Sequence, residues 1–311
     1  MLSLRAAADS FLLHCQFEKN LSSKTLKAYA IDLRQFLEAA GKRADLDCAA
    51  LDRENIRGYL RSLFSLYREK SVKRKMAVVK ALFHYLEEEE AIEHSPFRRM
   101  RIRIQEPRLL PRTIELSGVK KILEFAHGRL EESRNGRLHF KCFVALRDAL
   151  VLELLFATGA RVSEICNLRP LDVRRDFSEM KIFGKGARER VLQICIDDIR
   201  GLLDEYMKRR SGLFPDCPFL FVNRRGNRLS EQSVRFTVRD FALKTGLKEH
   251  ITPHMFRHTF ATQLLENGVD IRYIQQMLGH SSILTTQIYT SVSKRKQGEI
   301  LARSHPRAGL F

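Results

Sequence analysis

Residues 254–290 read HMFRHTFATQLLENGVDIRYIQQMLGHSSILTTQIYT, and they bring several chargeable side chains into one short stretch. The preceding pair, Thr252–Pro253, has the residue types preferred at the N-cap and first position of a helix. His254 then falls in the opening turn, and Arg257 and His258 lie three and four residues later, on the same side. The stretch therefore predicts a helix that presents one arginine and two histidines together.

The same stretch continues with the signals of a second helix. Gly268 closes the first helix, Asp270 is a residue type that caps the next one, and Gly279 ends it. His280 follows that glycine directly, and Tyr289 lies nine residues further on. A histidine and a phenol are thus expected to emerge beside the end of the second helix.

Length and charge define the broad class of the protein. The chain has 311 residues, enough for two ordinary domains, and its 44% hydrophobic and 30% charged composition is globular. Because 55 Lys and Arg oppose 37 Asp and Glu, the net charge is +18. Such an excess favours a polyanionic partner, most often nucleic acid, although some proteins are simply basic.

Cysteine usage and hydropathy indicate a cytoplasmic protein. No CxxC pair occurs, which argues against a zinc framework or a disulfide scaffold. The N-terminus lacks a signal-peptide layout, and charges interrupt every apolar run before a membrane-spanning length. We therefore expect a reducing cytoplasm and no membrane partner. The six cysteines are Cys15, Cys48, Cys142, Cys166, Cys195 and Cys217.

The first 97 residues predict an all-helical bundle. Apolar residues recur at helical spacing over 22–41, 56–66 and 71–86. Basic side chains accompany these patterns and suit contacts with DNA phosphates, although a solvated outer face explains any single one equally well. The tentative DNA-binding residues are Lys24, Lys27, Lys73 and Arg74.

A basic linker and a second domain follow. Residues 98–112, RRMRIRIQEPRLLPR, contain prolines that discourage a continuous helix, so we assign them as the linker and 113–311 as the second domain. Helical patterns cover 117–126 and 142–157, and the polar stretch 128–141 between them is expected to be a surface loop. Residues 180–194 predict two short strands around a Gly-Lys-Gly turn. The fold class is therefore mainly α, in two domains, with a small antiparallel sheet in the second.

A second cluster of chargeable residues lies upstream, in ATGARVSE at 157–164. Gly159 breaks the preceding apolar helix, Arg161 stands at the start of the next, and Glu164 is placed to hold its guanidinium. Lys185 lies at the tip of the predicted hairpin, where a mobile ammonium can swing toward a substrate.

Together these clusters suit a reaction at a phosphodiester. Two arginines, one lysine and two or three histidines accompany one phenol, and these motifs contain no carboxylate pair suited to a metal. Fixed cations can stabilise a phosphate whose charge grows in the transition state, and a tyrosine oxygen can attack it. No cofactor is required by this scheme.

Simpler explanations exist for each group. His254 and His258 have a spacing that can chelate zinc, but the glutamate of HExxH is missing. Lys185 lies in GKGA, which does not match the P-loop pattern, so ATP binding is not indicated. An isolated hairpin lysine, a packed Tyr289 or an Arg161–Glu164 surface pair would each be ordinary.

Four motifs in combination resemble the tyrosine recombinases, the phage-integrase-like site-specific recombinases: ATGARVSE, HMFRH, LGHSS and TTQIYT. The resemblance implies a DNA-clamping, SAM-like N-terminal domain and a catalytic C-terminal domain. It also implies that Arg161 and Arg257 clamp the scissile phosphate, with Glu164 and His258 in support. Lys185 would be the general acid, His254 would assist proton transfer or bind the phosphate, and His280 would orient the site. Tyr289 would form a 3′-phosphotyrosine and release a 5′-hydroxyl.

The C-terminal SHPRA resembles the end of the Xer recombinases, bacterial enzymes that resolve chromosome dimers. This resemblance implies a homo- or hetero-tetramer on double-stranded DNA sites, coupled through exchanged tails, and leaves room for a second recombinase or a DNA translocase as partner. The length of the 128–141 stretch keeps a mobile-element integrase open as an alternative. A DNA-binding regulator and a relaxing topoisomerase are further alternatives.

Overall fold

The computed structural model describes residues 2–41, 45, 47–105, 112–135, 139–183 and 189–279. The chain divides into two compact units, Met1–Arg108 and Leu109–Phe311. Their secondary structure is mostly helical with one two-stranded antiparallel sheet, so the predicted mainly α fold class is confirmed. None of the helices in the described ranges is both long and apolar enough to cross a membrane.

The described part of the N-terminal unit contains four α-helices, three of which begin at a residue whose side chain caps the helix. Ser22 accepts a hydrogen bond from the backbone of Thr25, and Asp52 and Asn55 form a reciprocal capping box. The bundle buries a core of aliphatic and aromatic side chains that includes Phe11, Leu33, Ile56, Val79 and Phe83. Its helices are α1 (Leu4–Phe17), α2 (Ser23–Ala40), α3 (Arg53–Leu66) and α4 (Glu69–Glu88).

A buried ion pair joins α2 to α4. Asp32 on α2 is fully buried and accepts hydrogen bonds from Arg74 and from Lys75 Nζ, the latter at 2.9 Å. The Lys75 ammonium is itself buried, bonds Gln35 and lies 4.6 Å from the ring centroid of Tyr67. Both charges are therefore compensated inside the bundle, while half of the Arg74 side chain stays exposed.

Part of the segment expected as a linker packs onto the N-terminal core. Met100, Ile102 and Ile104 are half-buried against this core. The alternation of these apolar residues with arginines in RRMRIRIQ lets one side of an extended chain cover the bundle while the other meets water.

The second unit contains seven helices among its described residues and the small sheet. Strand β1 (Glu179–Phe183) pairs with β2 (Glu189–Gln193), and Ile182 lies opposite Arg190. The predicted hairpin is thus present, with its tip outside the described residues. The helices are α5 (Leu116–Arg134), α6 (His139–Thr158), α7 (Val162–Asn167), α8 (Asp197–Leu213), α9 (Glu231–Lys244), α10 (Pro253–Glu266) and α11 (Ile271–Leu278).

Helix α6 is the central element of the second unit. From Cys142 to Leu155 all its residues but Glu153 are buried, and the two charged residues among them, Arg147 and Asp148, are paired with each other. It packs against α5, α8, α9 and α10, and the stacked rings of Phe143 and Tyr206 join it to α8. Because α6 is enclosed, its C-terminal end is held in place where the ATGARVSE stretch begins.

The prediction of a surface loop over 128–141 is wrong. Helix α5 continues to Arg134 and α6 begins at His139, so most of the stretch is helical. Ile122, Ala126 and Leu130 are spaced by four residues and are all buried, which extends the apolar face of α5 past Gly128. Burial of Leu130 outweighs the helix-weakening effect of that glycine.

Replacing Asp32 by asparagine should lower the free energy of unfolding by roughly 3–5 kcal/mol, because the buried Lys75 ammonium loses its carboxylate. Urea denaturation followed by circular dichroism measures the change. As a matched control, Asp9→Asn on the exposed side of α1 should change it by less than about 0.5 kcal/mol. Equal effects of the two substitutions would contradict the buried pair's role.

Candidate active site

A left-handed turn at Gly159 delivers the first arginine of the site. Thr158 closes α6 by donating its hydroxyl to the Leu154 carbonyl at 2.6 Å. Gly159 has φ +60°, and a Cβ there would lie 2.5 Å from a ring carbon of Phe260. Only glycine fits such a position without strain. The chain therefore reverses within two residues and places Arg161 at the N-cap of α7.

One buried carboxylate holds the Arg161 guanidinium. The backbone N–H of Arg161 donates to Glu164 Oε2 at 2.7 Å, and Arg161 Nη1 donates to Oε1 at 2.9 Å. Glu164 is almost fully buried, whereas the Arg161 side chain is 33% exposed. The arginine is thus anchored from inside the protein and still accessible from outside.

Glu164 also binds a second arginine, from strand β2. Arg190 Nη1 and Nη2 donate to the two carboxylate oxygens at 2.9 and 2.8 Å, a bidentate arrangement. Burial alone would raise the pKa of Glu164, but the hydrogen bonds and charges of Arg190 and Arg161 outweigh it and lower the pKa below its ordinary value. The carboxylate is therefore ionised at neutral pH.

The second predicted arginine of the site, Arg257, is buried at 4% exposure on α10. Its Nη1 donates to the carbonyl of Gly159 and its Nη2 to the carbonyl of Leu278, both at 2.7 Å. Arg161 Nη2 lies 3.5 Å from the carbonyl of Gly279, the next residue along. Both guanidinium groups therefore contact backbone carbonyls of neighbouring residues at the end of α11.

The end of α11 is defined on both sides by its sequence. Asp270 caps the helix by accepting from the backbone of Arg272 at 2.8 Å, and Gly279 closes it in the left-handed conformation, with φ +64°. Both cap predictions are confirmed.

Three of the predicted catalytic residues, Lys185, His280 and Tyr289, lie outside the described residues.

The two histidines of α10 lie on its first two turns. The predicted Thr252 N-cap and Pro253 start are confirmed, and His254 is exposed in the opening turn. His258 is half-buried, and burial, followed by the charges of His254 and Arg257, lowers its pKa below 6.5. His258 is therefore a neutral hydrogen-bonding group at pH 7 and supplies no positive charge.

The tentative DNA-binding residues belong to the N-terminal unit. They all lie on α2 or α4 and are exposed, but Arg74 is ion-paired with Asp32. These residues are Lys24, Lys27, Lys73 and Arg74.

In the described ranges, no three His, Cys, Asp or Glu side chains are grouped so that they could hold a metal ion.

Sequence reasoning missed Arg190. The only hairpin residue predicted to belong to the site is Lys185, although Arg190 binds Glu164 through two side-chain hydrogen bonds and Arg161 through one. The pairing of the two strands could have indicated its role, because Arg190 lies opposite Ile182, a fully buried residue. An arginine opposite a buried aliphatic residue indicates an internal carboxylate partner.

Comparison with known proteins places this geometry in a family context. Residues 115–296 match the phage integrase family, and residues 8–90 match the phage integrase N-terminal SAM-like domain. The chain is 43% identical to a tyrosine recombinase of Agathobacter rectalis, over 99% of this chain and 98% of the relative. It is 33% identical to tyrosine recombinase XerC of Leptospira interrogans, over 98% and 95%.

A solved structure shares the fold. The XerH site-specific recombinase bound to its palindromic difH substrate, in a post-cleavage complex, superposes with a TM-score of 0.74 at 23% identity. The match covers 95% of this chain and 84% of that one. This chain therefore shares the fold of that recombinase.

Gly159→Ala should destabilise the second unit by roughly 2–5 kcal/mol, because a left-handed alanine costs about 1–2 kcal/mol and overpacking against Phe260 costs about 1–3 kcal/mol. Gly201→Ala is the matched control: it lies exposed in α8, with nothing within 4 Å of an added Cβ, and should stabilise by about 0.4–1 kcal/mol. Thermal unfolding compares the two. Destabilisation of similar size at both glycines would contradict the turn's special role.

Acidification should destabilise the second unit through His258. The unfolded histidine binds a proton near pH 6.5, whereas the folded one does so only at lower pH. The unfolded state then binds more protons, so this contribution to stability is present above pH 6.5 and is lost as the pH falls below it. Urea unfolding of the wild type and His258→Gln across this range measures it. Parallel pH dependence in the two proteins would contradict the assignment.

Proposed function

The chain belongs to the phage integrase family of tyrosine recombinases, and on that basis we propose that it is a site-specific recombinase that cuts and rejoins double-stranded DNA. The reaction passes through a 3′-phosphotyrosine and a Holliday junction and requires neither metal nor ATP. Its biological role is Xer-like resolution of chromosome or plasmid dimers. The full-length similarity to tyrosine recombinases of this type supports the proposal.

The observation that carries the proposal is that two guanidinium groups contact neighbouring backbone carbonyls at the end of α11. Arg161 and Arg257 reach carbonyls of the adjacent residues Gly279 and Leu278, and Glu164 anchors the first of them. Two cations fixed in advance can bind the non-bridging oxygens of one phosphate and stabilise the charge that grows there during substitution. They need not reorganise when the reaction begins.

In the proposed reaction Tyr289 is the nucleophile. Its oxygen attacks the phosphorus, the bond from phosphorus to the 5′-oxygen breaks, and Lys185 gives that oxygen its proton. The product is a 3′-phosphotyrosine with a free 5′-hydroxyl. His254 takes the phenol proton or binds the phosphate, and His280 orients the site. Attack by the 5′-hydroxyl of another strand reverses these steps and releases the tyrosine.

The proposed substrate complex contains four subunits on DNA. Residues 1–97 clamp the duplex through the phosphate contacts of Lys24, Lys27, Lys73 and Arg74, and the basic segment 98–112 follows the backbone toward the catalytic domain at 113–311. The tail after Tyr289 couples neighbouring active sites, in a homo- or hetero-tetramer. This assembly, in the bacterial cytoplasm, leaves room for a second recombinase or a DNA translocase as an additional partner.

The mobile-element alternative rested on the length of residues 128–141. Most of that stretch lengthens α5 and α6, and Leu130 contributes to the core. Its length is thus explained by packing and gives no support to integration. Xer-type resolution is therefore the function we favour.

Tyr289→Phe should abolish the covalent DNA adduct formed on a nicked suicide substrate and leave DNA affinity unchanged, because only the attacking oxygen is removed. Tyr273→Phe, a matched change at an exposed residue of α11, should form adduct at the wild-type rate. Denaturing gels and filter binding measure the two quantities. Adduct in Tyr289→Phe would refute the nucleophile assignment.

Strand exchange between two DNA sites should proceed in EDTA without ATP, because the protein's own cations stabilise the phosphate. Mixing a labelled short site with a longer one and resolving the recombinant length measures exchange. Adduct formation with relaxation of supercoils but no recombinant product would instead indicate a topoisomerase. DNA binding without adduct would indicate a regulator.

A further inference from the structure

We propose that Arg190 is a positioning residue for this reaction: by sharing Glu164 with Arg161, it keeps the Arg161 charge available to the scissile phosphate. The inference rests on the proposed function, since it assigns a role within the same site. Arg190 itself is not assigned as a phosphate ligand, because its Nη1 and Nη2 donate to Glu164 and its Nε donates to the Met277 carbonyl.

Arg190 and Arg161 share the Glu164 carboxylate unequally. Arg190 donates to both oxygens of Glu164, at 2.9 and 2.8 Å, whereas Arg161 donates one side-chain bond, to Oε1 at 2.9 Å. The better-matched pair is therefore Glu164 with Arg190. With Arg190 in place, the carboxylate cannot turn to face the Arg161 guanidinium with both oxygens.

The cluster of Arg161, Glu164 and Arg190 has a net positive charge. Two guanidinium groups and one carboxylate carry a net single positive charge, and the exposed member of the three is Arg161. Without Arg190, Arg161 and Glu164 form a neutral pair. A neutral pair attracts a phosphate much less than a cluster with a net positive charge does.

Arg190 also contacts the end of α11. Arg190 Nε donates to the Met277 carbonyl at 3.1 Å, and a Cβ on Gly279 would lie 2.7 Å from Arg190 Nη1. The side chain thus passes under the left-handed turn that closes α11. Through this one residue, strand β2 is tied to α7 and to the end of α11, where Arg161 and Arg257 meet.

Substitution of Arg190 tests the inference in the full-length protein, with a nicked suicide DNA site as probe. Arg190→Met and Arg190→Gln should lower the single-turnover rate of adduct formation by about 10–100-fold and leave DNA affinity unchanged. Arg190→Lys should recover part of the rate, since it restores the charge without the bidentate pair. Arg200→Met, which removes an arginine bonded to Ile194 and Asp197, is the matched control and should react at the wild-type rate.

A second substrate separates positioning from a merely structural effect. Its scissile phosphate is replaced by a neutral methylphosphonate, which has less need of an arginine charge. If Arg190 acts through the charge of Arg161, Arg190→Gln should lose clearly less rate on methylphosphonate than on phosphate. A variant that is only less well folded loses the same factor on both substrates, and that result would overturn the inference.

The remaining outcomes are equally decisive. Circular dichroism identifies folded variants, and Arg190→Gln, which keeps a donor for Glu164, decides the matter where Arg190→Met is unfolded. Wild-type rates in folded Arg190→Gln would overturn the inference while the proposed function stands. If the wild-type protein forms no adduct at all, the proposed function fails first.

Discussion

The candidate site depends on one buried carboxylate shared by two arginines. Glu164 accepts hydrogen bonds from Arg190 through both oxygens and from the side chain and backbone of Arg161. A buried carboxylate is stable as an ion only when such partners compensate its lost hydration. The same contacts give Arg161 a single orientation, because a long side chain with one fixed anchor loses most of its rotamer freedom. The hydrogen bonds that stabilise the buried Glu164 carboxylate thus also orient the partly exposed Arg161 side chain.

The rest of the second unit serves to keep that arrangement in place. The enclosed helix α6 fixes the start of the turn at Gly159, and the turn presents both Arg161 and a carbonyl that holds Arg257. Arg257 in turn binds the carbonyl of Leu278, so α6, α10 and α11 are joined through one guanidinium. Removal of any of these contacts would leave a buried charge or carbonyl without its partner, which is costly in a protein interior. The hydrogen bonds that position the site residues are therefore the same ones that satisfy buried polar groups of the second unit.

Local signals in the sequence predict much of this. The caps at Thr252, Asp270 and Gly279 and the break at Gly159 depend on a few neighbouring residues, and the structure has them where the sequence indicates. Arg190 could not be assigned in the same way, because its partner is 26 residues away and is reached only when the hairpin folds over α7. The helical path of 128–134 was missed because local polarity and Gly128 suggest a loop, whereas burial of Leu130 depends on the assembled core.

The central claim is that Arg161 and Arg257, held in this frame, bind one and the same phosphate. A crystal structure of the protein on a DNA site with vanadate in place of the reacting phosphate tests it most directly. Side-chain nitrogens of both arginines are expected within about 3 Å of oxygens on the single vanadium centre, with Glu164 still hydrogen-bonded to Arg161 and Arg190. Arginines bound to different phosphates, or an Arg161 turned away from the vanadate, would contradict it.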